Sequence, residues 1–317
     1  IPAYRLPPEV LDREIARIEA LGVRIHCGEP VDPGFLRTAK SRFDAVFLSC
    51  GNGRASRLGI PGEDLAVSGL SYLASAKRAA LKPGAAGKTA LVIGGGNTAV
   101  DTARTLLRFG VSPVIVYRRR REDMPAFGHE IERALEEGVR LAELRAPVSL
   151  AKTENGLELT VQRTRPAGIG PDGRTRAEPV AGAFETLTAD QVYSAAGAGP
   201  SESWMLPPDA PSVRRFGRCA AAWRSDAGVP VLYGGDVVVS EESAADAIGS
   251  GKEAALALDL FFSRGEEAVE AGLARCRIGN GPSVSMEIHL GGPRSSPASG
   301  VVKLEDINTA YFSRPPR

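Results

Sequence analysis

The chain has 317 residues, 43% hydrophobic and 24% charged, with 36 Gly and 23 Pro; this is globular composition in a length beyond one minimal core, so two packed domains are expected. Thirty-nine basic residues against 38 acidic ones leave a formal net charge of +1, which excludes a whole-molecule field that would draw the protein to nucleic acid. The apolar stretches, such as 254–262 with Asp259 inside it, fall short of the roughly 18 to 20 residues that span a bilayer, so no membrane partner is expected.

Cys27, Cys50, Cys219 and Cys276 are scattered without CxxC spacing, which excludes a dithiol, a zinc knuckle and an iron–sulfur cluster held by this chain alone. A reducing cytoplasm is the expected compartment. The start at Ile1-Pro2-Ala3-Tyr4 has neither the basic residues nor the apolar run of a signal peptide.

In chain order, Val10, Leu11, Ile15, Ile18 and Leu21 predict a helix over 8–21 that Gly22 stops. Residues 23–26 then read as a short strand, 33–41 as a helix of one or two turns, and 45–49 as a strand buried on both faces. The breaker cluster at 82–88 marks a domain boundary, after which a new sheet begins. From there the pattern predicts strand 89–93, helix 97–109, strand 113–117, helix 126–137 ended by Gly138, and strand 139–144. Segments 156–165 and 183–188 read as paired antiparallel strands around a Gly/Pro loop at 166–179, followed by strand 191–195. Residues 229–233 predict another strand and 243–262 a long helix with Gly249 and Gly251 inside it. Beyond it, 277–300 has loop composition, and the amphipathic stretch 301–312 is expected to pack back on its own domain, the alternative being to dock on a partner.

Between the strand at 89–93 and the helix at 97–109 lies Gly94-Gly95-Gly96-Asn97-Thr98-Ala99, a G-x-G-x-x-A turn in strand–turn–helix context. Gly94 permits the tight turn, Gly96 lets the backbone approach a pyrophosphate, and Ala99 lets the helix pack closely on the sheet. The helix start then offers free N–H groups and a partial positive charge to the phosphates. At the end of the next strand, where a carboxylate would accept from the 2′-OH of NAD, the chain has Arg118-Arg119-Arg120-Arg121. Guanidinium groups pair bidentately with phosphate, so Arg118 and Arg119 point to NADP(H). A second half-site follows Val231-Leu232-Tyr233: a Gly234-Gly235-Asp236 turn and a helix opened by Ala244 and Ala245, with Asp236 placed to accept from sugar-like hydroxyls.

The GGGNTAVD motif, YRRRREDMPA, SAAGAGP at 194–200, SCGNGRASRLGIPGEDL at 49–65 and the GGDV…AIGSGKEAA segment together resemble the small (beta) subunit of NADPH-dependent glutamate synthase and its relatives, in the two-dinucleotide-binding-domain flavoprotein superfamily. The resemblance runs from Ile1 to about Phe262. It implies an α/β fold of two Rossmann-like three-layer domains, with an NADP-binding domain (76–195) inserted into a split FAD-binding domain (1–75 and 196–262), and 263–317 as a C-terminal extension. It further implies that Gly235 and Asp236 meet the ribityl and pyrophosphate part of FAD, that Ala244 and Ala245 lie near the flavin, and that Gly51 and Gly197 lie at the two crossings between domains.

The resemblance implies an NADPH-oxidising module that passes electrons through FAD to an iron–sulfur acceptor. Relatives carry an FAD fingerprint and in many cases iron–sulfur cysteines before the IPAYRLP segment, whereas here a single such fingerprint, at 94–99, stands between a strand and the helix it opens. The FAD site is therefore expected to be incomplete here, with a preceding segment or another subunit supplying the rest, and a large catalytic subunit as a further expected partner. Val239–Ser243 also departs from the Gly, Pro and Thr that relatives place near the flavin. His26, His129 and His289 are not grouped with a nucleophile or a metal-like cluster, so no catalytic residue and no metal ligand is assigned. The alternative is a nucleotide-binding module without turnover, a sensor or scaffold.

Overall fold

The computed structural model describes residues 1–78, 88–170, 173–239 and 243–275. The chain opens with helix α1 (Pro8–Ala20), helix α2 (Pro33–Thr38) and strand β1 (Val46–Leu48). Strand β2 (Arg54–Ala55) leads to β3 (Val67–Ser68), helix α3 (Gly69–Lys77) and β4 (Thr89–Ile93). Helix α4 (Asn97–Arg108), β5 (Ser112–Val116), α5 (Gly128–Glu136) and β6 (Arg140–Ala142) follow. Three long strands come next, β7 (Arg145–Thr153), β8 (Gly156–Ile169) and β9 (Thr175–Ala189), then β10 (Gln191–Ser194) and β11 (Ala198–Gly199). The last elements are β12 (Val213–Phe216), β13 (Cys219–Ala222), β14 (Val231–Gly234), α6 (Ala244–Arg264) and α7 (Val269–Arg275).

These strands form two main sheets. One has the order β3-β10-β4-β5-β6 with every pairing parallel, as strand–helix alternation requires. Helices cover one face, where Val92 and Ile115 pack against Val100, Ala103, Leu106 and Ile131. The other face is covered by the antiparallel sheet β7-β8-β9, with Leu150, Leu159 and Val161 against Leu91, Ile93 and Val116. The second main sheet has the order β1-β14-β13-β12, parallel only between β1 and β14. Helix α6 covers one of its faces, where Trp223 stacks on Phe261 at 4.6 Å between ring centroids.

The short antiparallel pair β2–β11 joins the two bodies, with Ser56 N–H donating to the Gly197 carbonyl at 2.9 Å. Because β3 and α3 already belong to the parallel sheet, the chain crosses at this pair rather than near residue 75, and the sheet begins before residue 88. The N-terminal segment also reaches the parallel-sheet body: Arg5 pairs with Asp101 of α4 at 2.8 Å and with Glu130 of α5 at 3.3 Å.

Residues 23–26, expected as a strand, form none; Val23 and Ile25 are half exposed. A strand needs a neighbour to satisfy its amides, and none of the described residues pairs with this run. Helix α1 likewise has no buried residue, and Ile18 and Leu21 are exposed. The expected loop at 166–179 is largely strand: β8 and β9 continue to Ile169 and Thr175 as a two-stranded ribbon, Pro166 opposite Ala177. A free ribbon edge tolerates the proline that a central strand would not. Strands β7, β12 and β13 and helices α3 and α7 carried no readable pattern. The breaker residues 82–87, Glu241 and Glu242, and the expectations for 277–300 and 301–312 lie outside the described residues. No helix among the described residues is long and apolar enough to cross a membrane.

Candidate functional site

The turn from β4 into α4 is built from three glycines in three different surroundings. Gly94 has φ +147°, and a Cβ there would sit 2.1 Å from the Ala195 carbonyl oxygen, so only glycine lets β4 and the end of β10 lie this close. A Cβ on Gly95 would lie 2.4 Å from the Tyr117 ring, whose hydroxyl donates to the Asp123 carbonyl at 2.8 Å. A Cβ on Gly96 would meet nothing within 4 Å. Gly96 is the extended residue that caps α4, and its carbonyl accepts from the Ala99 and Val100 amides. The amides of Asn97 and Thr98 therefore begin a helix that faces open space, and the first N–H groups of a helix have no acceptor within it.

Ala99 is fully buried against the sheet, which brings the axis of α4 close to β4. The Asn97 side chain faces sideways: its Oδ1 accepts from the Phe127 amide at 3.0 Å and pins the 124–127 loop beside the helix start. Thr98 presents its carbonyl to the Thr102 hydroxyl.

At the end of β5 the four arginines part company. Arg118 is exposed, and its carbonyl accepts from the Thr164 hydroxyl of β8 at 2.6 Å. Arg119 is buried under the ribbon, with its carbonyl accepting from the Leu144 amide. Arg120 pairs with Asp123 at 2.9 Å and Glu122 at 2.5 Å, and its hydrogen bond holds the Asp123 carboxyl below the usual range. Arg121 donates its amide to Glu143.

The second half-site lies on the other sheet. Gly235, with φ +67°, donates its amide to the buried Ser250 hydroxyl at 2.8 Å. Asp236 is half-buried, and burial pushes its carboxyl above the usual range. The Asp236 carbonyl accepts from the Asn52 side chain at 3.0 Å, which ties the loop containing Gly51 to this turn. Gly197 leads into β11 with φ +125°. Ala244 and Ala245 are exposed at the first turn of α6, whose cap is Ser243, accepting from the Asp246 amide at 3.0 Å.

The Gly94 amide donates to the Val116 carbonyl, which sets the glycine turn beside the end of β5 where the arginine run begins, and the Asn52–Asp236 bond separately ties the Gly51 loop to the Gly235–Asp236 turn. Sequence reasoning missed Asn52, Tyr117 and Ser250. Asn52 and Ser250 sit inside segments singled out for other reasons, and Tyr117 directly precedes the arginines.

The profile of the pyridine nucleotide-disulphide oxidoreductase family matches residues 8–251. The chain is 32% identical over 320 residues to the beta subunit of NADP(+)-dependent formate dehydrogenase of Moorella thermoacetica, covering 93% of this chain and 43% of that protein. It is 37% identical over 217 residues to the beta subunit of the NADPH-Fe(3+) oxidoreductase of Geobacter sulfurreducens, covering 65% and 32%. It is 31% identical over 275 residues to the glutamate synthase (NADPH) small chain of Escherichia coli, covering 80% and 58%. The chain therefore spans between about a third and three-fifths of the length of these curated relatives. Among solved structures, the Mycobacterium tuberculosis oxidoreductase FprA shares the fold, with TM-score 0.54 at 18% identity over 86% of this chain and 76% of that one. The chain belongs to the pyridine nucleotide-disulphide oxidoreductase family.

Proposed function

We propose that this chain is the NADPH-oxidising electron-input module of a FAD-dependent oxidoreductase of the glutamate synthase small-chain kind, serving an iron–sulfur acceptor. The observation that carries the reading is the contrast within one turn: Gly94 and Gly95 are packed against protein, whereas Gly96 borders open space at a helix start. That cradle fits a pyrophosphate, with Gly94, Gly95, Gly96, Asn97, Thr98 and Ala99 shaping it. The exposed Arg118, with Arg119 beside it, fits the 2′-phosphate that separates NADP from NAD.

Gly235, Asp236, Gly51, Gly197, Ala244 and Ala245 fit part of a flavin nucleotide site. Bound nicotinamide and flavin nucleotides supply the hydride and electron chemistry, while this chain's residues bind and orient them. No side chain is assigned an acid, base or nucleophile role. On this reading the NADP-binding domain is the parallel-sheet body, inserted through the β2–β11 pair into a FAD-binding domain built on β1, β12, β13, β14 and α6. The outer edge of β1, which pairs with no strand among the described residues, and the exposed apolar side chains of Ile18, Leu21, Val23 and Ile25 support a further segment or subunit that completes the flavin site. The beta-subunit and small-chain relatives support a larger assembly.

Calorimetric titration with NADPH and NADH tests the reading. NADPH is expected to bind at least roughly tenfold more tightly, from a charge-assisted pair with its 2′-phosphate. Equal affinities contradict it.

A further inference from the structure

Helix α4 is buried on every side, although the sheet covers only one of them: residues 99–106 are all buried. Ala99, Val100, Ala103 and Leu106 belong to the apolar core. Asp101, Arg104 and Thr105, with Arg108 one turn on, form a polar stripe roofed by Tyr4 and Arg5. The roof is a single turn, in which the Arg5 and Leu6 amides both donate to the Pro2 carbonyl at 3.0 Å. Helix α1 after it buries no residue, so packing of α1 does not hold this turn in place.

The stripe is balanced in charge. Arg5 donates to both carboxylate oxygens of Asp101, at 2.8 and 2.9 Å, and reaches Glu130 at 3.3 Å. Arg104 pairs with Glu130 and Glu137, Arg108 pairs with Glu137 at 3.0 Å, and His129 lies 3.4 Å from Glu130. Three guanidinium groups thus meet three carboxylates, and Arg5 is the one that pairs with Asp101.

These carboxylates stand close to the glycine turn. Asp101 follows Asn97 by four residues, which is about 6 Å along the helix axis, and helical side chains lean toward the N-terminus. Glu130 follows Phe127 by three residues, and the Phe127 amide is bound by Asn97 at 3.0 Å. An unbalanced carboxylate at such a distance, about 10 Å from the proposed pyrophosphate, weakens anion binding by roughly tenfold at an effective dielectric of about 20.

We propose that Arg5 is a positioning residue for the nicotinamide nucleotide: by balancing Asp101 and Glu130 through the roof over α4, it keeps the helix start receptive to the pyrophosphate. This rests on the dinucleotide reading of the β4–α4 turn. NADPH and NADH share the pyrophosphate, so Arg5 raises the affinity for both and leaves the choice between them to other residues. Its place far ahead of the fingerprint in the chain hides it from motif spacing.

The test is calorimetric titration of the full chain with NADPH and NADH at pH 8, with thermal melts of each variant. Arg5→Ala is expected to weaken both nucleotides by similar factors, roughly three- to tenfold at low salt and less at about 0.5 M salt. Arg5→Lys should keep most of the affinity. Arg5→Ala/Asp101→Asn should return to within about twofold of the unaltered chain, because the unbalanced carboxylate is gone. Asp101→Asn alone leaves Arg5 on Glu130 and should bind at least as tightly as the unaltered chain, so it tests the charge effect even where Arg5→Ala fails to fold. Unchanged affinity in folded Arg5→Ala, a double variant as weak as the single one, a loss indifferent to salt, or weaker binding by Asp101→Asn overturns the inference. Equal NADPH and NADH binding by the unaltered chain contradicts the proposed function, and a parallel loss of both in Arg5→Ala still supports the role of Arg5. A chain that binds neither nucleotide overturns both.

Discussion

The guanidinium carbon of Arg108 lies 3.8 Å from the centroid of the Tyr4 ring, and that of Arg104 lies 4.7 Å from the same centroid. Tyr4 thus sits against two cations of α4, with its hydroxyl donating to the Asp101 carbonyl at 3.3 Å. This contact and the adjacent Arg5–Asp101 pair fasten the N-terminal segment to the parallel-sheet body, although α1 leaves that body immediately afterwards. Each cation–π contact contributes about 0.5 to 2 kcal/mol. Tyr4→Ala is therefore expected to lower stability by about 1 to 3 kcal/mol in urea unfolding, and Tyr4→Phe by much less. Equal losses would show that the hydroxyl, rather than the ring, holds the segment.

The neighbouring glycines of the β4–α4 turn should fail differently. Gly95→Ala forces a Cβ into the Tyr117 ring, which is tethered through its hydroxyl, and overpacking of this kind costs about 1 to 3 kcal/mol. Gly96→Ala meets no protein atom at φ −86°, so its thermal midpoint should stay close to that of the unaltered chain. Its methyl group would occupy the space proposed for the pyrophosphate, and NADPH affinity should fall at least roughly tenfold. Thermal melts and nucleotide titration of both variants separate the two effects.

Glu137 receives hydrogen bonds from Arg104 and then Arg108, which lower its carboxyl from an ordinary 4.5 to about 2. A folded-state pKa below the unfolded value contributes stability that is present above about pH 4.5 and is lost as pH falls toward 2. Glu137 is partly exposed, so screening reduces this contribution to about 1 to 2 kcal/mol. Glu137→Gln should lower stability at pH 7 and flatten its decline between pH 4.5 and 2. A variant whose acid decline parallels that of the unaltered chain would show that other carboxylates govern the transition.

Cys219 is fully buried, and burial pushes its thiol up to about 11, whereas Cys27 and Cys50 are exposed. Thiolate is the reactive form. An alkylating reagent at pH 8 should therefore modify Cys27 and Cys50 in the folded chain and reach Cys219 only after urea is added, as peptide mass spectrometry would show. Labelling of Cys219 at a comparable rate without urea would place it outside the core beneath α6.

The nucleotide turn was legible because its signals are local. An apolar run makes β4, a 3.6-residue apolar period makes α4, and the glycines between them occupy three consecutive positions. The β12–β13 hairpin was not legible, because Cys219-Ala220-Ala221-Ala222 has little intrinsic strand preference and is held extended by pairing and complete burial. Residues 23–26 show the converse: their composition suits a strand, and without a paired neighbour they form none. The ribbon was hidden by its glycines and prolines, and with it the recess that joins Arg119 and Arg120 to Arg165 and Arg176. That grouping of side chains arises only through tertiary contact, so spacing along the chain holds no trace of it.

The central claim is that backbone amides at the start of α4 grip the phosphates of NADP(H). Amide chemical shifts of isotopically labelled protein, followed while NADP+ is added, test it residue by residue. The largest changes are expected at Gly96, Asn97 and Thr98, with a second group at Arg118. Shifts confined to other parts of the chain, with these four amides unmoved at saturating NADP+, would contradict the account.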